Sequence, residues 1–195
     1  MRKDRVQKTA FISLVFNMVY STYHVAYGAL IVSWWFLVIG VYYAILSIVR
    51  FTVLRYRGKK GVIIRFTGSM LMALSVSLVG IVILSFVKDR GKVFPLVMML
   101  AMATYAFTKI TLATINWIKV RKCTSTKMLA LRNVSFADAF VSIFSLQRSM
   151  VVSFEGMSEM EIRMMNAATG LGVCIIVFLL GFNLISVSRV RAKIR

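Results

Sequence analysis

Residues 28–47 read GALIVSWWFLVIGVYYAILS, twenty positions without one charged side chain. An α-helix of that length crosses the roughly 30 Å hydrocarbon core of a bilayer. Lipid offers no hydrogen bonds, so a spanning backbone must satisfy itself as a helix or as a closed barrel. Barrel strands alternate apolar and polar residues over about ten positions. Here the apolar runs are long and unbroken, and they recur along the chain. The fold class is therefore all-α, a polytopic bundle of about six transmembrane helices forming one domain over residues 1–195, with spans at about 9–27, 31–54, 61–87, 94–118, 128–152 and 167–188. Composition agrees: 59% of residues are hydrophobic and 16% charged, against about 45–50% and a quarter in a soluble domain.

The formal charge of +19 raises the question of a nucleic-acid partner, because Lys and Arg neutralise phosphates. The distribution of the charge argues otherwise. Arg2, Lys3, Arg5 and Lys8 precede span 1; Arg50, Arg55, Arg57, Lys59, Lys60 and Arg65 surround the connection between spans 2 and 3. Lys119, Arg121, Lys122, Lys127 and Arg132 flank the connection between spans 4 and 5, and Arg189, Arg191, Lys193 and Arg195 close the chain. Nineteen of the twenty-five basic residues thus fall on alternate connections, with those near span ends counted as able to reach outward to the headgroups. The positive-inside bias then predicts a multi-pass protein of the cell membrane with both termini cytoplasmic. Its expected partners are the lipid bilayer and either further copies of itself or another membrane subunit, not nucleic acid.

The connections carry their own signals. Met1 to Lys8 resembles the basic start of a signal peptide, but no small-residue cleavage site follows, so residues 9–27 are expected to stay as the first helix. Between spans 1 and 2 there is no charge, which predicts a tight hairpin near 28–31, and Trp34 and Trp35 suit the headgroup level beyond it. Lys88-Asp89-Arg90-Gly91-Lys92 reads as a polar turn, with Pro95, the single proline, in the first turn of span 4. Met157, Met160 and Met164 recur at helical spacing while Glu159 and Arg163 form an i,i+4 pair. That pattern predicts a separate short amphipathic helix at about 156–165 on the outer face. Arg148, near the outer end of span 5, can reach the headgroups or meet Glu155. Cys123 in a basic loop and Cys174 in an apolar span lie on different levels, which excludes a disulfide.

Within the spans, polar side chains mark the faces that look into the bundle. Ser13, Asn17, Tyr20, Ser21, His24 and Gly28 share a stripe of span 1, and Ser33, Gly40, Tyr43, Ser47 and Arg50 share one of span 2. In span 3, Ser69, Ala73 and Ser77 stand four apart, which predicts a close helix-packing seam. Tyr105, Lys109 and Asn116 align on span 4, bordered by Thr104, Thr108 and Thr111; Ser135, Asp138, Ser142, Ser145 and Ser149 align on span 5. Asp138 is the single acid inside a span, and Lys109 and Asp138 both lie about 15 Å from the inner ends of their helices. A lone charge at that depth costs at least about 2.5–3.5 kcal/mol, so the two are expected to pair. The candidate intramembrane polar site comprises Lys109, Asp138, Asn17, Tyr43, Tyr105 and His24. One histidine cannot build a multi-histidine metal centre, so His24 is weighed as a hydrogen-bonded bundle residue against a proton relay. No metal or cofactor is implied.

No Walker phosphate loop, HExxH pair or GxSxG turn is present, and six acids with one histidine support few catalytic constellations. Arg132-Asn133-Val134-Ser135-Phe136-Ala137-Asp138 resembles the RxxxFSD signature of bacterial potassium channels related to a lysosomal channel, which also have six helices per subunit. The match spans these seven residues, has Ala137 where that family has Ser, and lies in span 5 where the family carries it in its first helix. In size and helix count the chain is similar to the substrate-binding components of energy-coupling factor transporters, without a small-residue docking motif in span 1. The sequence thus points to a membrane-embedded binding or transport component, set against a structural or regulatory membrane subunit whose polar stripes only hold helices together. An intramembrane lipid enzyme would need a nucleophile–base pair that the sequence does not offer.

Overall fold

The computed structural model describes residues 2–30, 32, 34–56, 58, 60–88, 96–120, 125–153 and 156–193. The described residues form six helices: α1 (Arg2–Leu30), α2 (Trp34–Arg55), α3 (Lys60–Lys88), α4 (Leu96–Val120), α5 (Thr126–Ser153) and α6 (Glu159–Lys193). There is no strand among the described residues. Four helices are long and apolar enough to cross a membrane, over Phe36–Arg55, Gly61–Val87, Thr126–Ser153 and Glu159–Val190. Large apolar side chains such as Phe16, Ile48, Val76, Phe107, Ile175 and Leu179 stand exposed around the bundle. A soluble monomer rarely exposes so much apolar surface, whereas a multi-pass membrane protein presents it to lipid.

Three antiparallel pairs build the bundle. In α1 and α2, Ser21 Oγ donates to the Gly40 carbonyl at 2.7 Å and Tyr27 packs edge-on to Phe36 at 5.4 Å, so residue numbers rise on one helix and fall on the other. The intervening hairpin includes Val32 at φ 51°, an uncommon conformation for a β-branched residue. Pairing in α4 and α5 runs from Met102 against Ser149, through Lys109 against Asp138, to Asn116 against Ser135. Helices α3 and α6 meet at Gly68 and Gly181, where a Cβ on either would lie 2.8 Å from the other's carbonyl oxygen. Absence of side chains at both positions lets the backbones touch, the usual basis of tight association in lipid.

Helix α5 packs against all five others, and 67% of its apolar window is buried against 33% for α6. It is the axle of the molecule. Ala10, Val53, Ile63 and Ala130 cluster at one end of the bundle, where Arg65 Nε also reaches Ser188 at 3.2 Å. The start of α1 and the end of α6 therefore lie at the same end.

Three expectations need correction. Ser69, Ala73 and Ser77 do not form the α3 seam; all three are exposed, and the Ser77 hydroxyl is satisfied by the Ala73 carbonyl at 3.1 Å within its own helix. The seam runs through Gly68, one position earlier and about 100° around the helix. No separate helix occupies 156–165 either. Ser158 caps α6 reciprocally with Glu161: the Glu161 N–H donates to Ser158 Oγ at 3.3 Å, the Ser158 N–H and hydroxyl donate to the Glu161 carboxylate at 2.8 and 2.7 Å, and the helix then continues unbroken to Lys193. At 35 residues it is about 52 Å long and outreaches the hydrocarbon core. Met160 and Met164 are exposed on that extension. Finally, α1 continues to Leu30 and α2 begins at Trp34, so the break between them falls slightly later than the charge-free stretch near 28–31 suggests. The turn at 89–92, Pro95, Cys123 and Glu155 lie outside the described residues; Cys174 is a free, buried thiol.

Candidate functional site

Each polar stripe read from the sequence of α1, α2, α4 and α5 faces α5 or its neighbours. Ser13, Asn17, Gly40, Tyr43, Ser47, Arg50, Tyr105, Lys109, Asn116 and Asp138 are all buried. Their convergence follows from helical geometry, since residues three or four apart share one face and α5 lies at the centre. Lys109 is eleven residues from the end of α4 and Asp138 twelve from the start of α5. Both backbones are therefore about 16–18 Å along their helices from the ends that meet at the 121–125 connection.

One carboxylate oxygen gathers the site. Asp138 Oδ2 lies 2.7 Å from Lys109 Nζ, 3.0 Å from Arg50 Nη2 and 3.1 Å from Asn17 Nδ2, so α1, α2 and α4 are all tied to α5 at one atom. Ser13 completes the cluster. Its hydroxyl accepts from Arg50 Nη1 and, at 3.0 Å, from Lys109 Nζ, which also reaches the Ser13 carbonyl at 3.2 Å. Tyr105 donates to Asn17 Oδ1 at 2.9 Å and so fixes the amide that donates to Asp138. Arg50, Lys109 and Asp138 have side-chain exposures of 2% or less.

An aromatic layer closes the cluster on the hairpin side. Tyr20 stacks on Tyr105 at 3.6 Å and 6°, and Tyr43 meets both edge-on at 5.1 and 5.7 Å. Lys109 Nζ sits 5.1 Å from the Tyr105 ring centre, within cation–π range. Tyr43 touches the site only at second hand: its hydroxyl lies 3.1 Å from Ser142 Oγ, and Ser142 donates to the Asp138 backbone carbonyl at 2.7 Å. His24 stands apart. Its Nδ1 lies 3.0 Å from the Tyr20 carbonyl, and its ring packs on Tyr20 and Phe36.

The sequence reading counted Arg50 both among the connection charges and on the inward stripe of span 2, did not name it as a site candidate, and treated Lys109 and Asp138 as a pair. The structure instead turns Arg50 inward, fully buried, and makes the cluster a triad of two cations and one anion. Arg50 shares a face with Tyr43 and Ser47, and that alignment was the signal for its inward turn. Ser13, on the stripe with Asn17, is the second member not named as a candidate. The cluster carries a formal charge of +1, and among the described residues Asp138 Oδ1, Arg50 Nε, Asn116 Oδ1 and the Tyr42 hydroxyl have no hydrogen-bond partner. Chemically, this is a buried, preorganised cluster with one formal positive charge in excess and spare donors and acceptors. No family model matches the chain, and no curated protein matches it.

Proposed function

We propose that this chain is a membrane-embedded binding or transport component, spanning the cell membrane six times with both termini cytoplasmic, whose working site is the Arg50–Lys109–Asp138 cluster with Asn17 and Tyr105. Its substrate or coupled species is an anion. The observation that carries this reading is the imbalance of two buried cations on one carboxylate. A purely structural ion pair needs one cation per anion, and an uncompensated charge in a dry interior is costly. A small anion bound beside Arg50 and Lys109 would neutralise the excess and engage the unused Arg50 Nε. Tyr105 and Asn17 hold the carboxylate back from that space.

Purified protein in a nonionic detergent tests this directly, with melting measured in chloride, nitrate or gluconate at one ionic strength. Binding stabilises the folded state by about 2.7 kcal/mol at a hundred times Kd. The wild type is expected to melt higher in the small anions than in gluconate, and Lys109→Met to lose that difference while staying folded. Identical anion dependence in the two proteins would overturn the proposal. Cysteines placed at Lys60 and Lys122 should be shielded from impermeant reagents in intact cells, and one at Glu159 should react; outside labelling at Lys122 would overturn the topology.

A second reading is favoured by one observation, the closure of the cluster. Asp138 Oδ2 cross-links four helices with its charged partners almost fully buried. On that reading the protein is a structural or regulatory membrane subunit, and the triad only locks the bundle.

A further inference from the structure

A second polar region lies at the end of the bundle away from the chain termini. There α3, α5 and α6 line a cavity of about 200 Å³. A water takes up only about 30 Å³, so the space holds a group of several heavy atoms. Its walls divide by chemistry. Arg148, Arg163, Glu159 and Asn166 supply the polar part, and Val82 and Phe144 belong to the apolar part. Phe144 lies nine residues before the end of α5, so the cavity runs from the helix end about 14 Å along the bundle.

The polar groups are of both signs. Arg148 is buried, with one guanidinium nitrogen donating to Ser85 Oγ. Arg163 is 30% exposed and lies 3.7 Å from Glu159, a long contact that leaves both groups able to turn to a ligand. Asn166 is only 7% exposed, yet its Oδ1 has no partner among the described residues. A buried acceptor facing a cavity calls for a donor from whatever fills it. Guanidinium groups suit phosphate oxygens, and a carboxylate together with an amide oxygen suits an ammonium N–H.

We infer that this cavity binds the headgroup of a membrane phospholipid of the phosphoethanolamine class, with phosphate toward Arg148 and Arg163 and ammonium toward Asn166 Oδ1 and Glu159. The lipid is the source rather than free phosphate because the walls continue into Val82 and Phe144, which inorganic phosphate would leave uncovered and a glycerol backbone with its first acyl carbons would cover. Choline headgroups lack the N–H that Asn166 requires.

Native mass spectrometry of the full chain, extracted in mild detergent and mixed with equal amounts of phosphatidylethanolamine, phosphatidylcholine and phosphatidylglycerol, measures the preference. The wild type is expected to retain phosphatidylethanolamine roughly tenfold over phosphatidylcholine. Asn166→Leu and Arg163→Gln should each lose most of that preference, and Ala167→Phe, which fills the cavity, should lose retention itself. Thr104→Val, on the exposed face of α4, should leave the preference unchanged. Melting and size-exclusion profiles establish that each variant is folded, and Arg163→Gln, being partly exposed, keeps the test open if Asn166→Leu fails to fold. Equal retention of the three lipids by the wild type, an unchanged preference in folded Asn166→Leu or Arg163→Gln, or displacement of the lipid by excess inorganic phosphate would each overturn the lipid site.

Discussion

Arg50 and Arg148 are both buried in an apolar bundle, but in different company. Arg50 belongs to a closed cluster where α1, α2, α4 and α5 meet, and its guanidinium is drawn to a carboxylate that Lys109 also holds. Arg148 donates to the Ser85 hydroxyl and forms part of the wall of a cavity lined by α3, α5 and α6. α5 carries the acid of the first region and the cation of the second, ten residues apart. The first region fixes two cations on one carboxylate and keeps an excess of one positive charge, and the second borders a cavity. Burial alone therefore does not identify a binding region in a membrane bundle; the packing around the charge decides.

The contrast breaks most readily at Asp138. Replacing it with Leu leaves Arg50 and Lys109 facing each other without an anion, and removing one partner of a buried pair typically costs about 3–5 kcal/mol. Lys109→Met is a different case, because Arg50 still faces the carboxylate at 3.0 Å and the remaining pair is neutral. Its cost should be clearly smaller than that of Asp138→Leu, because no buried charge is left without a partner. Melting in detergent should therefore show a severe loss for Asp138→Leu, extending to poor expression, and a clearly smaller one for Lys109→Met. Equal losses would mean that the two cations are not alternatives and that the triad description is wrong.

Asn17 sharpens the picture of a preorganised cluster. Its amide is oriented because Tyr105 donates to Oδ1, leaving Nδ2 to donate to Asp138. Tyr105→Phe keeps the ring that stacks on Tyr20 and removes only the donor. A buried acceptor left without its partner costs about 1–3 kcal/mol, so the melting loss should fall in that range. Asn17→Leu combined with Tyr105→Phe should cost less than the sum of the separate changes, since the second mutation no longer orphans anything. Strict additivity would argue against the Tyr105–Asn17–Asp138 relay.

Much of this organisation could be read from spacing. Polar residues are costly in lipid, so stripes such as Asn17 with Ser21 and Tyr105 with Lys109 declared their inward faces before any packing was known. What spacing cannot supply is the register between helices. Arg50, five residues from the end of α2, could as well have reached outward to the headgroups; only its position opposite Asp138 turns it inward. Ser69, Ala73 and Ser77 fail for a related reason. A small-residue repeat shows that one face permits close approach, not that a partner uses it, and Gly181 opposes Gly68 instead. The continuity of α6 was legible and was misread. Ser158 followed by Glu161 is a capping-box pattern, whereas Asn166 is followed three residues later by Thr169 and makes no such box, so one helix beginning at 159 is what local chemistry favours. The cavity had no sequence signal, because its walls are assembled from three helices, α3, α5 and α6, whose individual residues look ordinary.

The smallest expected effect sets the cavity against the α3–α6 seam, by packing rather than charge. Gly68 and Gly170 both border closely packed neighbours on the α3 and α6 side, but the neighbours differ in kind. A Cβ at Gly68 would lie 2.8 Å from the Gly181 carbonyl oxygen, and backbone in the middle of two helices cannot yield without separating them. A Cβ at Gly170 would meet only side-chain atoms, Val82 Cγ2 at 2.5 Å and the edge of Phe144 at 2.9 Å. Val82 and Phe144 line the cavity, so each has room to rotate away into it. Overpacking a tight interior costs about 1–3 kcal/mol, and Gly68→Ala should show that loss in full. Gly170→Ala should cost less than about 1 kcal/mol, since alanine also favours the helix by about that amount over glycine. Both variants can be compared in one set of detergent melts. A loss at Gly170 as large as at Gly68 would mean that Val82 and Phe144 have no space behind them, and the cavity would then be packed shut in the folded protein.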